Sequence, residues 1–373
     1  MADFTLYGWE PSLSPHKLPL FHALQRSDRF TNITYIAQED LQAERKLQGW
    51  SRGSTADLNV LIAPSVREIA DIVASSPIDA IHIFSGTRWH PVLVNGLKEV
   101  LAQGRRFGIM QEPRASGGFR GLLRFLHSWA SEHRIRTTAD FVLAIGRNGP
   151  SWFRRTGYRS ERIFPFAYFV EKSADEIDLH APTDEVIVSY LGRLEAPKGV
   201  KEMLELRRTI GRPSRFIVAG RGPLASLVMA SAEQPGPHLQ YLGPIPMTET
   251  RRFLRSADII CAPSLTDDDG WCAVIGEALL EGTAVITTKM AGASVCIEQD
   301  RRLGRVLVRP DAASMGKAVD DIVGSGILDV DCRKWRREWA GRRLNDEAGA
   351  KALISVLDHI YNGLPRPKPF YSR

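Results

Sequence analysis

Asp269-Gly270-Trp271-Cys272-Ala273-Val274-Ile275-Gly276-Glu277-Ala278 lies between two apolar runs, 257–264 and 282–288. The order reads as strand, polar turn, helix, strand. The first run ends at Pro263. Ser264, Thr266, Asp267, Asp268, Asp269 and Gly270 then supply turn formers that lead to a helix N-terminus. The spacing predicts a helix over about 272–281, stopped at Gly282, because glycine takes the left-handed C-terminal conformation without a Cβ penalty. Asp269 then sits in the turn, and Glu277 about one turn into the helix. A unit of this kind turns both carboxylates toward the carboxyl edge of a parallel sheet, where open α/β sheets bind ligands. An acidic turn ahead of an ordinary helix gives the same pattern.

On both sides of this unit, apolar strands alternate with helices, the signature of parallel sheets covered on both faces. Strands are expected at 4–8, 32–36, 59–62, 80–84, 107–110 and 141–145, with a short one near 162–165. Helices are expected at 15–25 (Ser14 as N-cap), 65–74, 90–103 and 119–133, and the polar piece 38–57 as loop or weak helix. A polar break at 171–185 precedes a second series, with strands at 186–191, 216–220, 239–242, 259–261, 284–286 and 305–308. Its helices include 199–210, 312–322 and 333–342. A last helix at 347–361 carries Ala350, Leu353, Ile354 and Leu357 on one stripe. The expected domains are 1–170, joined by the last helix (about 345–373), and 185–344.

A length of 373 residues suffices for two domains with separate cores. Cys261, Cys272, Cys296 and Cys332 show neither C-x-x-C pairing nor zinc spacing, which fits free thiols in a reducing cytosol. The N-terminus lacks the basic and apolar regions of a signal peptide, and no apolar run approaches the ~20 residues of a membrane span. Formal charge is +6, unevenly spread: between Arg105 and Arg162, twelve arginines face four acids, a local net of +8.

Leu191-Gly192-Arg193-Leu194-Glu195-Ala196-Pro197-Lys198-Gly199 runs from a strand through a glycine turn into a helix, with Arg193 and Lys198 bracketing the turn. Fixed positive charge at a helix start suits a diphosphate leaving group, which gains negative charge as its bond to carbon breaks. Solvated surface cations are the plain alternative. Gly220-Arg221-Gly222-Pro223 follows the next strand as a candidate ligand loop, and Gly243-Pro244-Ile245 ends the one after.

The acid at Asp269, seven residues, then Glu277-Ala278, in a Pro-Ser…Gly-aromatic…Gly-x-x-Val-Ile context, resembles the E-x7-E segment of family 4 GT-B glycosyltransferases. The Gly192 to Gly199 turn is similar to that family's diphosphate-binding pair. The resemblance covers about 186–322 and departs twice: Asp269 stands for a usual Glu, and Cys272 for a usual Gly. It implies two Rossmann-like domains with parallel sheets and a C-terminal helix crossing back to the N-terminal domain. It implies a retaining transferase with a nucleotide-diphosphate sugar donor, no required cofactor and no metal. Asp269 with the amides of Gly270, Trp271 and Cys272 would position the sugar, Glu277 hold the ribose, and Arg193 and Lys198 stabilise the diphosphate. Gly192, Gly220, Arg221, Gly222 and Pro223 would line the donor, with the main chain of Gly243, Pro244 and Ile245 at the base edge. Asp267-Asp268-Asp269 is similar to the metal-binding acids of the other large glycosyltransferase fold, but two basic groups already serve the diphosphate.

The acceptor half matches in rhythm only. Its candidates are His16, in place of a glycine loop after the first strand, His82, and Gln111 with Glu112 after a central strand. The expected acceptor is a glycan or lipid-linked molecule of bacterial cell-surface polysaccharide or glycolipid synthesis. The expected location is cytoplasmic, peripheral on the inner face of the membrane. Phe119, Leu122, Leu123 and Leu126 form one apolar stripe, and Phe125 and Trp129 another beside Arg120, Arg124 and His127. Such a helix suits an anionic membrane surface or a lipid-diphosphate acceptor, or else a core with one basic edge. No nucleic-acid motif is present, and neither G-x-G-x-x-G nor a P-loop occurs. A catalytically silent nucleotide-sugar-binding protein and a same-fold epimerase remain as rival functions.

Overall fold

The computed structural model describes residues 4–41, 43–47, 49–51, 54–172, 181, 183–267 and 269–372. They divide into two compact units. The first is drawn from the N-terminal part to residue 171 together with 346–372, and the second from 172–345 together with the short piece 44–51. Most of the expected 171–185 break, residues 173–180 and 182, lies outside the described residues, as does Asp268.

The first unit contains strands β1 (Phe4–Ser12), β2 (Phe30–Glu39), β3 (Asn59–Ile62), β4 (Ile81–Phe84), β5 (Arg106–Gln111), β6 (Phe141–Ile145) and β7 (Ile163–Phe166). They pair in parallel in the order β3-β2-β1-β4-β5-β6-β7, with Leu6 between Ile33 and Ile81 in register. Every residue of β6 is buried, as expected of an apolar strand covered on both faces. Trp9, Phe84, Phe107, Trp152 and Phe153 share one core cluster. Two expectations shift. β1 continues through Gly8-Trp9-Glu10 to Ser12 because Trp9 is buried between helix and sheet. The first helix spans Leu18–Gln25, and Ser14 closes only the preceding turn, through its carbonyl to Lys17 N. Ser65, by contrast, caps Val66–Ser75 in a reciprocal capping box with Glu68.

The final helix, Asp346–Tyr361, belongs to this first unit and packs on Leu18–Gln25. Arg26 pairs with Asp346 (2.7 Å), Arg29 with Asp358 (2.6 Å), and Tyr361 donates to Asp140 (2.9 Å). Beyond it, Arg366 donates to the carbonyls of Ile163 and Glu161 and stacks on Phe164, which covers the open edge of β7.

The second unit repeats the plan with β8 (Val186–Leu191), β9 (Ser214–Ala219), β10 (Leu239–Gly243), β11 (Ile259–Ala262), β12 (Ala284–Thr288) and β13 (Gly304–Leu307). The order is β10-β9-β8-β11-β12-β13, all parallel. Strand order therefore reverses between β8 and β11, and an open sheet has its crevice at such a switch point. The helix Val330–Gly341 is fastened to this unit by buried guanidinium groups. Arg333 meets Asp258 (3.2 Å) and the carbonyls of Arg255 and Ala257, while Arg336 donates to the carbonyls of Arg302, Gly282 and Ile327. Burial, and then neighbouring Arg333, pull the Arg336 pKa down to about 9.

Candidate active site at the switch point of the second sheet

Three glycine loops leave β8, β9 and β10 side by side. Leu194 N donates to Arg221 O (2.9 Å) and Gly220 N to Gly243 O (2.8 Å). A Cβ on Gly220 would lie 1.8 Å from Gly192 O, and one on Gly222 2.5 Å from Leu194 O, so both glycines are required by close approach as well as by positive φ. Gly192, Gly220, Arg221 and Gly222 are thus brought together. The Gly243 carbonyl accepts from Gly220 N, and Pro244 carries no N–H. Against Ile245 lies a piece from far upstream, with no local sequence signal for the contact: Gly49 O accepts from Met247 N (3.0 Å), and a Cβ on Gly49 would strike the Ile245 carbonyl.

After β8 the chain makes a 3-10 turn, Ala196–Lys198, and Gly199 enters the helix Val200–Thr209 in the left-handed conformation, φ 72°. The helix therefore starts one residue later than expected. Within the turn, the Lys198 and Gly199 amides bond to Glu195 and Ala196 carbonyls, so those two amides are not aimed at the sheet edge. The turn docks on the loop after β11: Leu265 N donates to Pro197 O (2.8 Å), and a Cβ on Gly199 would strike Pro263 O. That contact carries the Lys198 ammonium onto Asp269, with which it forms an ion pair.

Asp269 is 8% exposed. Its Oδ1 faces Lys198 and its Oδ2 accepts from Ser264 Oγ. Ser264 is itself buried and held through its carbonyl by the Thr288 hydroxyl (2.5 Å). Pro263-Ser264 was legible as a strand end, but not as the group that orients the acid. Trp271 is buried, and its carbonyl accepts from Ala293 N (2.9 Å), which fixes 269–272 against the loop 291–294 after β12. Cys272 takes φ 61° and precedes the helix Ala273–Leu280. A non-glycine residue here is strained, and the resembling family has glycine at this place. Burial and the Asp269 carboxylate hold the Cys272 thiol well above the usual range, so it stays protonated. Glu277 is half-buried on that helix. Arg193 is more open and pairs with Glu195 (2.9 Å). Among the described residues, no group of three or more His, Cys, Asp or Glu could hold a metal ion.

In the first unit, His16 lies in the turn after β1, and Gln111 and Glu112 lie at the end of β5, all half-buried. His82 has to be corrected as an acceptor residue, because β4 places it fully inside. Trp9 Nε1–H donates to His82 Nδ1 (3.1 Å). That leaves the ring proton on Nε2, facing Ser76 Oγ (3.4 Å), which donates to Val73 O. Burial, then Arg105, lower the His82 pKa to about 3. At the same sheet edge the sequence reading missed a buried triad: Lys17 Nζ donates to Glu10 Oε2 (2.7 Å), and the Ser85 hydroxyl donates to the other Glu10 oxygen. Burial raises the Glu10 pKa against the opposing pull of Lys17 and Ser85.

The His82 environment fixes a pH dependence. Below pH ~6.5 the unfolded chain takes up a proton that folded His82 refuses until about pH 3. Stability present at neutral pH is therefore lost as pH falls, by about 2 kcal/mol at pH 5 from this group. Urea unfolding at pH 7 and pH 5 should show a loss smaller by that amount in His82→Gln. Identical pH slopes would contradict the buried neutral ring.

Two parallel six- and seven-stranded Rossmann-like sheets, with the last helix returned to the first unit, define the GT-B fold. Solved structures agree. Anabaena Alr3699/HepE in complex with UDP and glucose superposes with a TM-score of 0.70 over 95% of this chain and 100% of that one, at 13% identity. The apo form of the lipopolysaccharide outer core galactosyltransferase WaaB gives 0.68 over 97% and 100%, at 14% identity.

At the sequence level, residues 171–339 match the family "Glycosyl transferases group 1". The phosphatidyl-myo-inositol mannosyltransferase of Mycolicibacterium smegmatis is 30% identical over 154 residues, 40% of this chain and 38% of the relative. The alpha-D-kanosaminyltransferase of Streptomyces kanamyceticus is 29% identical over 108 residues, 26% and 28%. The matches span less than half the length of each of these two relatives.

Proposed function

We propose that the protein is a retaining glycosyltransferase that moves a sugar from a nucleotide-diphosphate sugar to a glycan or lipid-linked acceptor, in bacterial cell-surface polysaccharide or glycolipid synthesis. The observation that carries this reading is the meeting of Lys198 with Asp269 at the switch point, beside the loops of Gly192, Gly220 and Gly243. Lys198 and Arg193 supply positive charge to the departing diphosphate, with Arg able to fork two oxygens. Glu277 takes the ribose hydroxyls, the main chain at Ile245 reads the base, and Asp269 with the 270–272 amides orients the sugar. The first unit takes the acceptor, with His16, Gln111, Glu112 and the Glu10–Lys17–Ser85 triad at its sheet edge. Retention accords with the lack of a dedicated base in this assignment. Domains for acceptor and donor then correspond to 1–170 with the last helix, and 185–344.

A thermal-shift screen over nucleotide sugars tests donor binding, since a ligand at ~100 Kd adds about 2.7 kcal/mol of stability. Donor turnover, slow hydrolysis included, separates an enzyme from a silent binder. The silent binder has one observation in its favour: both Asp269 oxygens are already engaged.

The two acids should differ. Glu277→Gln is expected to weaken nucleotide diphosphate and nucleotide sugar alike, by roughly ten- to a hundredfold, the worth of a charge-assisted hydrogen bond. Asp269→Asn should leave nucleotide diphosphate affinity nearly unchanged while cutting turnover and sugar discrimination. Asp269→Glu should alter donor-sugar preference without abolishing nucleotide binding. Calorimetric titration of both ligands distinguishes them, and equal loss of nucleotide diphosphate in Asp269→Asn and Glu277→Gln means the roles are misassigned.

A further inference from the structure

The helix Gly118–Ser131 is packed inside out. Its buried residues are Gly121 and Ser128, with Phe125 half-buried against the core, whereas Phe119, Leu122, Leu123, Leu126 and Trp129 are 49–73% exposed. A core helix with one basic edge would bury that stripe, so this alternative does not hold. What fastens the helix is polar. Arg114 donates to Ser128 (2.8 Å) and to buried Glu132 (2.8 Å), and Glu132 also accepts from Thr87 and Tyr158. Arg88 reaches His127 and Ser131 from the loop after β4. Gly121 completes the seat, since a Cβ there would lie 2.2 Å from Ser116 O. The next residue in that loop, Trp89, has φ 75° and is 86% exposed. A strained backbone that holds an indole in solvent is a cost folding alone does not explain.

The charge around the patch is one-sided. Several arginines of the Arg105 to Arg162 stretch are spent on structure: Arg105 on Ala74 O, Arg114 on Glu132, Arg136 on Trp129 O and Arg162 on Ala139 O. Arg120 and Arg124 lie exposed on the helix itself, and Arg134 and Arg155 are exposed nearby. Apolar side chains flanked by exposed cations match a bilayer interface, where rings and leucines enter the acyl boundary and guanidinium groups meet anionic headgroups. No described helix is long and apolar enough to cross a membrane, which leaves attachment in the interface plane.

We infer that the Gly118–Ser131 helix, with Trp89 beside it, is an interfacial docking surface for an anionic lipid bilayer, inserted through Leu122, Leu126 and Trp129 and steered by Arg120 and Arg124. The inference deepens the lipid-linked-acceptor reading above. It differs from attraction by the basic stretch as a whole in making apolar insertion the larger contribution.

The test is co-sedimentation of the full chain with phosphatidylglycerol-containing vesicles and with pure phosphatidylcholine vesicles, at low and high salt. Wild type should bind the anionic vesicles, weaken several-fold but not detach as salt rises, and show a blue shift of tryptophan emission. Leu122→Ser/Leu126→Ser should lose at least tenfold in affinity at both salts. Arg120→Glu/Arg124→Glu should lose affinity mainly at low salt, and Trp89→Ala should reduce the blue shift. All these side chains are exposed, so melting temperatures should stay unchanged and exclude misfolding as the cause. Wild type that ignores anionic vesicles, or a double leucine variant that binds like wild type, overturns the inference. So does sedimentation velocity showing that the leucines hold a dimer without lipid. Donor hydrolysis measured without vesicles tests the transferase reading separately.

Discussion

Lys198→Ala is expected to slow donor turnover by roughly thirty- to a thousandfold, about 2–4 kcal/mol of transition-state stabilisation. Charge on a departing diphosphate is greater in the transition state than in the bound donor, so a fixed cation beside it helps turnover more than ground-state binding. The structure adds a second consequence. Lys198 is the cation facing Asp269 Oδ1, and its loss leaves that largely buried carboxylate with only neutral partners, the Ser264 hydroxyl and the Cys272 thiol, among those described. Truncation therefore loosens the loop that carries Asp269 as well as removing charge. Lys198→Arg keeps the charge and separates the two effects: it should recover stability, but only part of the rate, because a planar fork does not replace a point charge in a packed turn. Steady-state turnover with melting temperature measured alongside reads both. Wild-type turnover in Lys198→Ala would remove Lys198 from the site.

The largest expected effect on stability lies elsewhere, at Arg333→Ala. Arg333 and Asp258 are almost wholly inaccessible, and Asp258 also accepts from Ile187 N (2.9 Å) at the start of β8. Removing the guanidinium abandons a buried carboxylate and two carbonyls, which costs about 3–5 kcal/mol. For a unit of this size that lowers the melting temperature by roughly 6–20 °C. Charge rather than volume is responsible, so Arg333→Met should be nearly as damaging, whereas Arg333→Met with Asp258→Asn should recover part of the loss. Differential scanning calorimetry decides it. A shift of only a degree or two in Arg333→Ala would mean that Asp258 is solvated and the pair is not a structural tie.

Periodicity located the strands because burial on both faces leaves continuous apolar runs, as in 141–145 and 259–262. Gly282 was readable as a helix stop because its left-handed backbone is a local property, and it is found at φ 81°. The misplacements have equally local causes. The first strand was expected to end at Gly8, but Trp9 finds a core and the strand stays extended to Ser12. Helix starts at Leu18 and Val200 lie later than expected because a turn closed by backbone bonds precedes each.

The double alternating α/β series, the glycine loops that only glycine can fill, and the acid-x7-acid spacing that put Asp269 before a helix and Glu277 on it were all legible in the linear chain. Those are consequences of local periodicity and backbone sterics, which a linear string records. Three features came from long-range folding alone: Asp269 is clasped by Lys198 and Ser264, His82 is a sealed neutral ring rather than an acceptor contact, and the 118–131 helix shows its leucines to solvent. Each depends on which residues distant in sequence are brought within a few ångströms, and pairings across 71 residues, as for Lys198 and Asp269, leave no periodic trace.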